Sequence, residues 1–189
     1  GRPVLERLGG RLRIAVSGGA ALYPELARTF IGLGLDLCQG YGLTEASPVV
    51  TFNPPDDNQP ESIGVSLPGW STRFDEGELL VRGPSVMIGY WHNREATAAA
   101  IDEEGWLHTG DMGEERGGHI YLTGRRKEIL VLSNGEKVPP AALEGAIGLD
   151  PLFEQVMVVG EGRPFLSALL VLDGEVWSQV AERLKLPVD

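Results

Sequence analysis

Leu35-Asp36-Leu37-Cys38-Gln39-Gly40-Tyr41-Gly42-Leu43-Thr44-Glu45 joins a short apolar run to a glycine-flanked turn. Leu35–Gln39 reads as a strand, and the strand delivers an aromatic ring, a hydroxyl and a carboxylate at its end. Those are the parts needed to hold a nucleotide. Gly40 and Gly42 lack a Cβ and let backbone come close to a flat ring. Tyr41 offers a face for stacking and Thr44 a donor for a phosphate oxygen. Glu45 is a hard oxygen ligand suited to Mg²⁺.

Upstream, Leu12–Val16 alternates and runs into Ser17-Gly18-Gly19-Ala20. Pro24 opens a helix expected to reach about Gly32, with Leu26, Phe30 and Leu33 spaced for one buried face. Strand, helix and strand in so few residues predict a parallel unit, with its glycine loops at the ends of the strands where ligands of open α/β sheets bind. Downstream, Asn53–Glu61 reads as a solvated, proline-rich loop, and Asp56 and Asp57 lack a third ligand at useful spacing. Ile63–Tyr90 breaks into short strands and turns, Asn93–Ile101 predicts a helix capped by Asn93, and His119–Leu122 reads as a strand ending at Gly124-Arg125.

The texture then changes. A strand over Ile129–Leu132, a helix over Pro140–Ile147, strands over Gln155–Gly160 and Leu166–Leu172, and a helix over Glu175–Leu184 predict a small α+β domain. The boundary is expected at Arg125–Lys127, giving domains 1–125 and 126–189.

Composition narrows the function classes. The chain has 189 residues, 42% apolar and 23% charged, which is globular rather than disordered. No apolar run approaches the roughly 18–20 residues of a membrane span. A net charge of −11 argues against a nucleic-acid partner, because phosphate backbones are held by Lys and Arg. The single cysteine, Cys38, lies in an apolar run and excludes both an intramolecular disulfide and a multi-cysteine zinc site. A reduced, cytoplasmic setting is expected. His92 and His119 read as surface or strand residues, and His108 as packing beside the turn that follows it. Trp70, Trp91, Trp106 and Trp177 read as core or rim packing. No His/Asp/Ser set supports a hydrolase.

Five motifs occur in an order that resembles the adenylate-forming, or AMP-binding, enzymes. Ser17-Gly18-Gly19-Ala20-Ala21-Leu22 resembles that superfamily's SGGAPL, and Tyr41-Gly42-Leu43-Thr44-Glu45 its YGxTE. Glu78-Leu79-Leu80-Val81-Arg82-Gly83-Pro84 with Gly89-Tyr90-Trp91 is similar to GELxxRGP…GYW. Trp106-Leu107-His108-Thr109-Gly110-Asp111 is similar to WxxTGD. Gly124-Arg125-Arg126-Lys127-Glu128-Ile129 and Gly135-Glu136-Lys137-Val138-Pro139-Pro140 resemble the hinge region. Within the superfamily the hinge and Phe153–Leu172 look most like bacterial long-chain acyl-CoA synthetases.

The resemblance implies an α/β plus α+β fold. The end of a large N-terminal domain, with a parallel β/α unit and a small distorted β-barrel subdomain, would precede most of a small mobile C-terminal domain. It implies an ATP-dependent ligase that joins a carboxylic acid, expected to be a fatty acid, to AMP and then to coenzyme A. ATP/AMP and Mg²⁺ are the implied cofactors, with coenzyme A as a substrate. An apolar acid could also draw such a protein to a membrane surface. The superfamily's phosphate loop and catalytic lysine have no counterpart among these residues, so the chain alone is expected to be incomplete and inactive.

Residue by residue, Tyr41 would stack on adenine, its flanking Gly40 and Gly42 would allow close approach to the ring, and Gly18, Gly19 and Ala20 would line the adenine edge. Thr44 would bind phosphate and Glu45 hold Mg²⁺. Asp111 would take both ribose hydroxyls, and Arg125 would reach the ribose or α-phosphate. Lys127 would be the hinge residue between half-reactions, and Gly135 would pass close to coenzyme A. Two other readings are an acyl-AMP ligase or peptide-synthetase adenylation domain serving a carrier protein, and a noncatalytic nucleotide-binding module. The Lys127-Glu128 hinge and Val138-Pro139-Pro140 favour the coenzyme A ligase over the carrier-protein reading.

Overall fold

The computed structural model describes residues 2–20 and 22–186. The backbone divides into two units, one through Leu122 and one from Thr123.

The first unit begins with α1 (Arg2–Arg7), β1 (Ile14–Ser17), α2 (Pro24–Gly32) and β2 (Asp36–Gly42). Pro24 starts α2 because the first helical amide needs no partner, and Glu25 in the first turn suits the positive end of the helix dipole. Gly34, at φ +94°, turns the chain out of the helix into β2. β1 and β2 pair in parallel, Ile14 opposite Asp36 and Ser17 opposite Gln39. The buried face of α2 differs from the expected one. Ala27 is fully buried, Leu26 is exposed, and Phe30 and Leu33 are half-buried. A small residue at the contact lets a helix approach a sheet closely, and its larger neighbours are then displaced to the flanks.

The expected turn at Gly40–Gly42 is instead strand. β2 continues through it and pairs antiparallel with β3 (Val49–Phe52), Gly40 opposite Phe52 and Tyr41 opposite Thr51, with a bulge before Gly42. β3 pairs with β4 (Val65–Ser66) and completes the order β1-β2-β3-β4. A Cβ at position 42 would lie 1.8 Å from the Pro48 carbonyl oxygen. Gly42 is thus required by the chain's own return.

The second sheet of this unit has the order β5 (Ser71–Asp75), β6 (Glu78–Arg82), β7 (Leu107–Arg116), β8 (His119–Arg125), and the chain leaves the first unit along β8. It is an open sheet with β5 and β8 at its edges. Four strands are too few to wrap a filled barrel, so the expected barrel is not closed among the described residues. α3 (Arg94–Ala100) precedes β7, and Asn93 caps it by accepting the Ala96 amide at 2.9 Å. The core joins the two sheets through Ala46, Val50, Ile63, Leu79, Val81, Leu107 and Ile120. Tyr41 and Leu43 pack on the same cluster.

The loop after β3 has an exposed tip at Asp56 and Asp57 but a buried base. Asn53 Nδ2 donates to the carbonyls of Gln59 (2.9 Å) and Ser62 (2.8 Å). Its Oδ1 accepts the Gln59 amide (3.2 Å) and the Ser62 hydroxyl (3.1 Å). His119, on β8, is 1% exposed and therefore not a surface residue. Its Nδ1 lies 2.9 Å from Ser62 Oγ and its Nε2 3.0 Å from Asp57 Oδ2. Ser62, His119 and Asp57 thus form a connected His/Asp/Ser set, with the serine buried at its inner end.

In the second unit, β9 (Leu130–Val131) and β10 (Lys137–Val138) form a hairpin, followed by α4 (Pro140–Ile147). β11 (Phe153–Val159) and β12 (Ser167–Leu172) pair antiparallel, and α5 (Gly174–Leu184) follows. Asp173 caps α5 by accepting the amides of Glu175 (3.0 Å) and Val176 (2.9 Å). α4 packs on β11, tied by Glu144 accepting the Val158 amide at 2.8 Å.

Candidate functional site

β2 and β7 bring two candidate residues together. The Tyr41 hydroxyl donates to Asp111 Oδ2 at 2.5 Å, across 70 residues of sequence. Asp111 is only 7% exposed. Its placement comes from a slip in the β6–β7 register. Leu80 faces His108 and Glu78 faces Met112, so Thr109-Gly110-Asp111 must share the space opposite Leu79. The extra residues bulge out of the ladder, with Gly110 at φ +74°. Side chains then replace the missing ladder bonds. The Thr109 hydroxyl donates to the Leu79 carbonyl (2.7 Å) and accepts the Asp111 amide (3.0 Å). Glu78, 4% exposed, accepts the Gly110 amide on Oε1 (2.8 Å) and lies 3.2 Å from His108 Nδ1 through Oε2. His108 therefore does more than pack beside the turn.

The glycine segments of β1 and β2 abut, since a Cβ at Gly18 would lie 3.3 Å from the Gly40 carbonyl oxygen. Gly19 sits at φ +85° with open space where a side chain would project, and Ala20 is exposed. Ala21 lies outside the described residues. Thr44 and Glu45 share one 3₁₀ turn (Thr44–Ala46), closed by Ser47 at φ 59°. Thr44 is exposed and Glu45 half-buried. The Tyr90 hydroxyl donates to Glu45 Oε1 at 2.8 Å, and that bond to a carboxylate raises the phenol's pKa. Tyr90 is itself held through its amide, which donates to Thr97 Oγ1 on α3 at 2.9 Å.

Glu78 and Tyr90 are the site residues that sequence reasoning missed. Glu78 had two signals, a charge at the head of an otherwise apolar strand and its place in the motif that resembles GELxxRGP, but neither gave it a role. Tyr90 lay in the Gly89-Tyr90-Trp91 motif, which gave it no role of its own. The tryptophans divide. Trp106 is buried, and the Arg73 and Arg82 guanidinium groups lie over its ring, 4.4 and 4.6 Å from the ring centre. Trp91 is 88% exposed and so is neither core nor rim; its ring approaches that of His92 edge-on, with centroids 4.4 Å apart. It stands on the loop before α3, outside the core cluster.

Three candidates belong to the second unit. Arg125 starts a turn in which its carbonyl accepts the amides of Glu128 (3.0 Å) and Ile129 (3.2 Å), and Lys127 is exposed on that turn. Gly135 lies in the β9–β10 hairpin at φ +84°, with nothing within 4 Å of the place its Cβ would take.

No group of three or more metal-ligating side chains occurs among the described residues. Glu45 alone still fits Mg²⁺ carried by a nucleotide, because that ion keeps most of its waters and needs one or two carboxylates beside the phosphates. No helix among the described residues is long and apolar enough to cross a membrane.

The family model of AMP-binding enzymes matches residues 3–91, and that of the AMP-binding enzyme C-terminal domain matches residues 127–185. The chain is 43% identical over 183 residues to the long-chain-fatty-acid–CoA ligase FadD15 of Mycobacterium bovis, covering 94% of this chain and 30% of that protein. It is 37% identical over 163 residues to the long-chain-fatty-acid–CoA ligase ACSBG1 of Mus musculus, covering 82% and 23%. Among solved structures, ATP-bound MatB from Rhodopseudomonas palustris superposes with a TM-score of 0.75 at 29% identity, covering 88% of this chain and 37% of that one. The amide bond synthetase McbA from Marinactinospora thermotolerans gives 0.73 at 31% identity, covering 96% and 43%. The chain thus spans less than a third of the length of these ligase relatives.

Proposed function

The chain belongs to the AMP-binding enzyme family, and on that premise we propose that it is part of an ATP-dependent ligase activating medium- or long-chain fatty acids. The acid's carboxylate attacks the α-phosphorus of ATP, pyrophosphate leaves, and the thiol of coenzyme A then takes the acyl group from acyl-AMP. Such chemistry runs on positioning and on neutralising the charge that develops at phosphorus.

The observation that carries the reading is the juxtaposition of Tyr41 with Asp111. An aromatic face beside a buried carboxylate is the pair of contacts an adenosine presents, a base to stack and a cis-diol to bind. Each carboxylate oxygen has two lone pairs, so Oδ2 can keep the Tyr41 bond and accept a ribose hydroxyl as well. Gly18, Gly19 and Ala20 line the adenine edge. Thr44 donates to phosphate and Glu45 orients the nucleotide's Mg²⁺. Arg125 reaches the ribose or α-phosphate with its fixed donor fork. Lys127 is the hinge whose backbone absorbs the motion of residues 126–189 between half-reactions. Gly135 leaves room for coenzyme A.

The test is carboxylate-dependent pyrophosphate release by the full-length protein, over acids of increasing chain length, with and without coenzyme A. Release that peaks with medium or long chains and yields acyl-CoA is expected. Stalled acyl-AMP would transfer the second step to a carrier protein, and no release with any acid would overturn the reading.

A further inference from the structure

We infer that Glu78 is a positioning residue for ribose recognition, fixing the bulge that aims Asp111 and so setting the enzyme's preference for a ribose over a deoxyribose nucleotide. The inference rests on the proposed role of Asp111 and adds a residue that never touches the nucleotide.

Glu78 is the first residue of β6 and is almost wholly buried. A buried carboxylate needs several donors to offset its lost hydration. Two of them come from the Trp106–Asp111 motif itself. The Gly110 amide, immediately before Asp111, donates to Oε1 at 2.8 Å, and His108 Nδ1 approaches Oε2 at 3.2 Å. One carboxylate therefore grips the bulge on both sides of Thr109. The third restraint, the Thr109 hydroxyl on the Leu79 carbonyl, engages the neighbour of Glu78. Gly110 has the backbone freedom to take many conformations, and no side chain of its own to choose among them. Glu78 makes that choice. Binding a cis-diol with one carboxylate demands that its plane be set to a fraction of an ångström. Small displacements of such a group are felt as a loss of discrimination between substrates with and without the hydroxyl.

The experiment compares kcat/KM for ATP and 2′-deoxy-ATP in full-length protein, with folding checked by circular dichroism and melting temperature. The wild type should prefer ATP by roughly 10- to 100-fold, the value of one hydrogen bond to a charged group. Glu78→Ala should raise KM for ATP and reduce the ratio towards one. Glu78→Gln keeps an acceptor for the Gly110 amide and should retain most of the ratio. His108→Ala removes one grip at a half-buried position and should lower the ratio by about two- to tenfold. If Glu78→Ala does not fold, the His108→Ala ratio decides. Folded variants that slow ATP and 2′-deoxy-ATP equally, leaving the ratio intact, overturn the inference. Asp111→Asn is the separate control: an unchanged ratio there removes the ribose role of Asp111 itself, whatever Glu78 does.

Discussion

Two buried polar clusters in the first unit are built from the same kinds of group and have opposite outcomes. Around Glu78, a carboxylate, a histidine, a threonine hydroxyl and two amides converge on a bulge that ends in Asp111. Around Ser62, an asparagine, a histidine and an aspartate converge on a hydroxyl that leads nowhere. The second cluster contains the three residue types of a hydrolase triad, yet Ser62 is fully buried, its hydroxyl accepts the Gly64 amide, and Asn53 Oδ1, the Gln59 carbonyl and His119 Nδ1 all lie within hydrogen-bond distance of it. Its exposed member is Asp57, so an incoming substrate would meet the carboxylate and not the nucleophile. A site is recognised by where its bonds end, and residue types alone do not decide it.

Four substitutions probe that contrast. Asn53→Ala has the largest expected effect, because it removes four bonds and leaves their partners buried; a loss of about 4 kcal/mol or more is expected, read as a fall in the melting temperature of the full-length protein. Near-wild-type melting would show that the Ser62 cluster does not hold the loop. Asp111→Ala should lower kcat/KM for ATP by about 100-fold while moving the melting temperature little. Loss of stability without loss of ATP use would make the two clusters equivalent. Ser62→Ala should cost about 1–2 kcal/mol of stability and leave turnover of the folded enzyme unchanged. A serine-directed fluorophosphonate should not label Ser62 in the wild type, and labelling there would restore the triad as a nucleophile.

Asp57→Asn should be the smallest effect and confined to acid. The hydrogen bond from His119 lowers the Asp57 pKa below its ordinary value. A carboxylate depressed on folding contributes stability above its unfolded pKa of about 4, and the contribution is lost as pH falls below that towards the folded value. Melting at pH 3 and pH 5 should therefore differ less for the variant than for the wild type. Equal differences would show that the Asp57–His119 contact carries no pH-dependent stability.

Local signals were legible. Pro24 opens α2 and the helix ends at Gly32 as expected, Asn93 caps α3, and the Pro140–Ile147 helix lies where its pattern put it. Long-range pairing was not. Gly40–Gly42 looks like a turn because glycine carries no alternation, and its strand character comes from Val49–Phe52 folding back beside it. Resemblance put Tyr41 and Asp111 on one nucleoside, but the bond between them has no trace in local spacing. Glu78 was hidden for the same reason: what it holds lies 30 to 32 residues away. His119 gave no sign of burial because its partners sit on a loop that composition marks as solvated.

The Tyr41–Asp111 bond has a kinetic consequence. A contact spanning 70 residues closes a long loop and carries the entropic cost of that closure. The two groups proposed to hold adenosine are therefore expected to meet late in folding. Nucleotide bound across them, as proposed, would then act on the finished structure and not on the transition state that precedes it. It should slow unfolding and leave the refolding rate unchanged, so the ligand works as a latch on a fold already formed.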